Sequence, residues 1–170
     1  MIRRAGRSQI GMTQVEMMAT VAIISVLTIA LGSMVYSVLR HAGRSGAHVT
    51  AASAIEEAAR WVAHDGQMAQ MVNLIPGAEP VSALVLTWID PVTGDSFEVD
   101  YFLSGTDFRR REIVNSVLQG ESTEASHISQ VWFSQSAYAA RLFKVSFTAS
   151  ALNAQVNESK EYYVALRAVG

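Results

Sequence analysis

Residues 17–39 include no charged side chain, and this run limits the possible folds more than any other feature of the chain. As a helix at about 1.5 Å per residue it would extend about 34 Å, enough to cross the hydrocarbon layer of a bilayer. A cleaved secretory signal has a shorter apolar region, about 7 to 15 residues, and ends at a small-x-small site. Ala30-Leu31-Gly32 imitates such a site, but apolar residues continue to Leu39. The run therefore reads as a membrane helix. One carboxylate, Glu16, stands directly ahead of it.

The charges around the run suggest its orientation. Arg3, Arg4 and Arg7 precede it with no acid among them, which predicts a cytoplasmic N-terminus by the positive-inside rule. Arg40 and Arg44 on the far side reduce the asymmetry. The first 72 residues hold six arginines against Glu16, Glu56, Glu57 and Asp65, a balance of +2 that leaves −4 for the rest of a chain whose net charge is −2. A chain of 170 residues with 13 basic and 15 acidic side chains has no basic footprint for nucleic acid, and none is expected as a partner. With no cysteine there is no disulfide framework, thiol nucleophile or thiolate metal site.

Beyond Leu39 the helical pattern continues. Gly43 and Gly46 weaken the stretch 40–46, since each glycine costs about 1 kcal/mol relative to alanine in a helix. Val49, Ala52, Ile55, Ala59, Val62, Gly66 and Ala69 then recur at three- and four-residue intervals, with Glu56, Glu57, Arg60, His64 and Asp65 largely off that stripe. Pro76-Gly77 and Pro80 mark its end. One long helix is expected, with a membrane half and an amphipathic half over 40–75.

After Pro80 the apolar period becomes two. Segments 83–89 and 96–103 flank a turn at 90–95 and read as a half-buried hairpin, followed by candidate strands at 108–114, 128–133, 142–149 and 162–169. Short connections imply antiparallel pairing. The polar stretch 120–126 reads as a loop or short helix. An amphipathic helix that needs an apolar surface and a sheet that needs a cover satisfy each other, so the expected fold is a two-layer α+β domain over 80–170 packed on the helix.

At the start of the helix, Thr13 is placed to be its N-cap and Glu16, three residues on, to complete a capping box. The whole stretch, with Arg3, Arg4 and Arg7, then Gly11, then Met12-Thr13-Gln14-Val15-Glu16-Met17 and the apolar run, resembles the class III leader of type IV prepilins and type II secretion pseudopilins. Met12 stands where that family most often has phenylalanine. The resemblance implies a leader over 1–11, cleavage between Gly11 and Met12 by prepilin peptidase, N-methylation of Met12, and a filament-forming helix over 12–39. It also implies a role for Glu16: pairing with the α-amino group of a neighbouring subunit's Met12. A carboxylate near the centre of a membrane helix costs about 2.5 to 3.5 kcal/mol, less near the interface, and such a partner offsets that penalty.

A second resemblance rests on the segments "ALVLTWID", "FEVDYFL", "FRRREIV", "ISQVWF", "RLFKVSF" and "YYVALRAV", whose order is similar to the strands of J-type minor pseudopilins. It implies a pilin-like fold and a non-enzymatic subunit. The implied partners are other pilin or pseudopilin subunits, the peptidase, an inner-membrane assembly platform and the membrane itself. No cofactor is implied.

The remaining chemistry-bearing residues have simpler readings. Arg109, Arg110 and Arg111 are the only internal basic run; strand alternation puts Arg110 on the face opposite its neighbours, as solvated edge residues pairing with Asp107, Glu112 or Glu98. Asp90 and Asp95 bracket a turn and supply too few oxygens for calcium. The four histidines show no metal-ligand spacing, and no phosphate loop, serine elbow or zinc-helix motif occurs. Trp61 reads as packed on the sheet. The rival from another class is a signal-anchored extracytoplasmic enzyme or sensor, which would use the apolar helix as a tether alone.

Overall fold

The computed structural model describes residues 13–139, 141–151 and 155–167. One helix, α1 (Gln14–Met68), is followed by eight strands: β1 (Met71–Val72), β2 (Leu84–Ile89), β3 (Ser96–Ser104), β4 (Asp107–Val114), β5 (Val117–Ala125), β6 (Ile128–Gln135), β7 (Leu142–Ala151) and β8 (Val156–Ala165). This is an α+β fold with a long, N-terminally apolar helix and antiparallel sheets. The chain divides into two units, Met1–Gly43 and Arg44–Gly170.

In the first unit every described residue is exposed. The helix passes Gly43 and Gly46 without interruption, and a Cβ at either would meet nothing within 4 Å.

In the second unit the strands form two sheets rather than the single one expected. One is five-stranded in the order β1-β2-β3-β4-β5, the other three-stranded in the order β6-β7-β8, and all neighbours are antiparallel. An isolated bridge between Val81 and Phe133 joins the segment before β2 to β6. One hydrophobic core takes in Ile55 and Val62 of the helix, Leu86, Val99 and Phe108 of the larger sheet, and Phe133, Val145 and Phe147 of the smaller. Phe108 and Phe147 meet edge to face at 5.2 Å, so aromatic packing crosses between the sheets.

Several expectations are corrected here. The buried helix stripe is Ala47, Ala51, Ala54, Ile55, Ala58, Ala59, Val62, Asp65 and Gly66; Val49 is 66% exposed. Alanines rather than the larger valine face the sheets because close approach is needed there. Gly66 shows how close: a Cβ at that position would lie 2.4 Å from Val164 Cγ1. The helix ends at Met68 rather than near Pro76, because the backbone donors beyond it go to β2, with Gln70 N–H donating to the Thr87 carbonyl and Asn73 N–H to that of Val85.

The stretch 120–126 lies mostly within β5 and is neither loop nor helix. A tight turn at Asn115 and Ser116, both at positive φ, folds β5 back on β4 as a two-residue type I′ hairpin would. β8 begins at Val156, not at 162. Its early inward positions, Glu158 and Lys160, pair with His48 and Glu56 of the helix instead of filling the core, so they read as polar. The expected turn at 90–95 is present: Asp90 N–H donates to the Asp95 carbonyl, Asp90 Oδ1 accepts from Val92 N–H, and Gly94 takes φ 77°.

Candidate functional site

Of the three residues predicted to carry processing and assembly, Gly11 and Met12 lie outside the described residues. Glu16 lies in the first turn of α1. The anticipated capping box forms there. Thr13 N–H donates to Glu16 Oε2 at 2.9 Å, the Thr13 hydroxyl to the same oxygen at 3.0 Å, and Glu16 N–H to Thr13 Oγ1 at 3.3 Å. Glu16 Oε1 takes no hydrogen bond among the described residues, so the side chain keeps one acceptor free while its other oxygen caps the helix.

Between Glu16 and Arg40 the helix is uncharged and exposed, and α1 contains a stretch long and apolar enough to cross a membrane, with none of that stretch buried. Four of the hydroxyl side chains in this stretch are satisfied within the helix. The hydroxyls of Thr20, Ser25 and Thr28 donate to the carbonyls four residues back, and Ser33 donates to that of Ala30. A hydroxyl bonded this way asks nothing of its surroundings, which is what hydrocarbon requires. Ile23, Leu27, Leu31 and Val35 are each more than half exposed, with no covering surface among the described residues.

The second constellation was not found from the sequence as a unit. Asp65, placed off the apolar stripe, is buried between helix and sheet. Its Oδ2 accepts from the Tyr101 hydroxyl on β3 at 2.7 Å and from Arg110 Nε on β4 at 2.7 Å. Arg110 also reaches Glu112 Oε2 at 2.6 Å, and its guanidinium lies 5.6 Å from the centre of the Trp61 ring. Burial, with the Asp65 charge beside it, holds the Tyr101 phenol protonated far above its ordinary range. Burial works against the Arg110 charge, but hydrogen bonds to Asp65 and Glu112 outweigh it and hold its pKa above the ordinary value.

The arginine run is therefore not at a sheet edge, since β4 lies between β3 and β5. The alternation of faces does hold: Arg110 points to the helix, while Arg109 and Arg111 both pair with Glu121 on the other face, Arg111 also lying 3.8 Å from Asp100. Of the anticipated partners, Glu112 alone is engaged by this run. A charged helix residue, a strand arginine and a tyrosine each have ordinary surface readings in sequence, and what joins them is long-range pairing that no local pattern encodes.

This second constellation fixes the helix on the sheet and shows no reactive geometry. Among the described residues, no group of three or more His, Asp or Glu side chains is placed to hold a metal ion. A shallow groove lined by Glu57, Arg60, Trp61 and His64 follows one exposed helix face, and no orphaned buried side chain lines it. Taken together, the fold and site define an α+β protein with one helix near its N-terminus long and apolar enough to cross a membrane. No family model matches the chain, and no curated protein or solved structure matches it.

Proposed function

We propose that the chain is a structural subunit, a minor pilin or pseudopilin, of a type IV pilus-like or type II secretion filament. The observation that carries this reading is a single helix with one carboxylate, Glu16, in its first turn, followed by an exposed uncharged run, and preceded by an arginine-bearing head that ends in Gly11. Prepilin peptidase cuts after Gly11, and Met12 becomes the N-methylated first residue. The chain then waits as a single-pass inner-membrane protein with its N-terminus cytoplasmic and its sheet unit extracytoplasmic, as Arg3, Arg4 and Arg7 favour.

During assembly residues 12–39 leave lipid for the filament core. Ala19, Ala22, Ala30 and Gly32 let helices approach closely, and the free oxygen of Glu16 accepts the α-amino group of a neighbouring Met12. The capping box supports this role, because it orients the carboxylate at the helix start without using both of its oxygens. The strand segments favour a J-type minor subunit within that class.

The test is intact and N-terminal peptide mass spectrometry on chain coexpressed with a prepilin peptidase, beside a Gly11→Ala control. The expected product starts at N-methylated Met12 and is lacking in the control. An uncut chain, or one cut beyond residue 39, would overturn the reading.

A further inference from the structure

We propose that the outward face of the β6-β7-β8 sheet is a binding platform for a neutral, β-linked polysaccharide. Burial alternates regularly along β7 and β8, so one face of this sheet belongs to the core and the other to solvent. Two large rings stand on the solvent face: Trp132 of β6, 46% exposed, and Tyr163 of β8, 66% exposed. Neither ring stacks on another aromatic side chain among the described residues, and neither the Trp132 indole N–H nor the Tyr163 hydroxyl takes a partner there.

The strand register fixes their spacing. Trp132 lies in a row with Ser146 and Glu161, and Tyr163 in the adjacent row of that face with Lys144 and Ser134. Two inter-strand steps and one two-residue step along the strand place their Cα positions about 12 Å apart, the reach of a short run of linked pyranose rings.

The chemistry between the rings selects the partner. Lys144 donates to Glu161 at 3.0 Å, so the two charges cancel within the face. The other outward positions from 144 to 150 and from 157 to 163 are hydroxyl or amide side chains, such as the Thr148 and Ser159 pair at 2.9 Å. A nucleic acid would need uncompensated cations, a lipid surface would need aliphatic or clustered basic side chains, and a second protein would need an apolar centre. None of these stands between the two rings; the aliphatic side chains of this face, Leu142 and Ala165, pair at its end, one row beyond Tyr163.

A neutral sugar chain needs what is present. Its C–H faces lie against the electron-rich faces of aromatic rings, and its equatorial hydroxyls meet short polar side chains and the free indole and phenol groups. Trp and Tyr also lose little conformational freedom on binding, having two side-chain torsions each.

The experiment is a pull-down of the full-length, detergent-solubilised chain with microcrystalline cellulose and with chitin, at low and high salt, beside cellohexaose titrations read by tryptophan emission. Expected are binding to at least one polymer that high salt leaves in place, a loss of about tenfold or more in Trp132→Ala and in Tyr163→Ala, and retention in Tyr163→Phe, which keeps the ring. Both side chains are exposed, and unfolding midpoints of the variants check that the fold is kept. No binding to either polymer, binding abolished by salt, or binding indifferent to both alanine variants would overturn the proposal. It rests on the sheet unit alone, so its failure would leave the filament reading standing, and the reverse also holds.

Discussion

A carboxylate in an amphipathic helix ordinarily faces water, yet the Asp65 side chain is 1% exposed and its partner Arg110 14% exposed. Removing one member of a buried ion pair leaves the other enclosed and uncompensated, at a cost of about 3 to 5 kcal/mol, whereas replacing both by apolar groups is often close to neutral. Asp65→Ala leaves the buried Tyr101 hydroxyl without its acceptor and Arg110 with Glu112 alone, so it is expected to lose about 3 kcal/mol, the lower end of that range. Asp65 Oδ1 is already enclosed without a hydrogen bond among the described residues, so the pair is held by one oxygen rather than by full satisfaction of both. The double substitution Asp65→Ala with Arg110→Met is expected to recover a substantial part of the loss. Urea denaturation followed by tryptophan fluorescence measures both. Simple additivity of the two single losses would mean that the residues do not act as a pair. Glu16 shows the other kind of carboxylate: its partners lie three residues away, so the capping box was readable from Thr13 and Glu16 alone.

Elements were legible to the extent that their burial was one-sided. β7 alternates buried and part-buried positions along its length, and Phe143, Val145 and Phe147 announced it. β5 gave no such signal, because it is an exposed edge strand whose only buried residues are Glu124 and Ala125, and two irregularities in its pairing with β4 break what alternation there is. The clue available was the turn before it. Asn115 at φ 50° and Ser116 at φ 66° both occupy the left-handed region, which Asn tolerates and Ser does not favour. Ser116→Gly therefore removes strain at a position whose backbone already suits glycine and is expected to stabilise the hairpin by about 0.5 to 1 kcal/mol, against glycine's own entropic cost. A thermal midpoint unchanged or lowered in Ser116→Gly would contradict this account of β5. The two-sheet arrangement was not legible, because the split depends on β5 and β6 failing to pair, and pairing partners are a long-range property.

At the scale of the molecule, the two units differ in what they bury. No described residue before Ala47 is buried, while the core draws on helix residues from Ala47 onward and on all eight strands or the segments beside them. Every ion pair among the described residues, including His48 with Glu158 and Glu56 with Lys160, also lies within the second unit. A fragment covering Arg44–Gly170 is expected to be soluble without detergent and to unfold in one cooperative transition, because it retains the whole described core and sheds the exposed apolar surface of the first unit. Shortening α1 to a start at Arg44 removes the carbonyl partners of four N–H groups, the last of them that of Ala47 at the start of the buried stripe, so fraying is confined to the new first turn. The checks are the coincidence of far-ultraviolet dichroism with tryptophan fluorescence through the transition, and amide exchange that protects β3 and β7 most. Aggregation of the fragment, or a broad transition in which the two probes part, would mean that the first unit does stabilise the second.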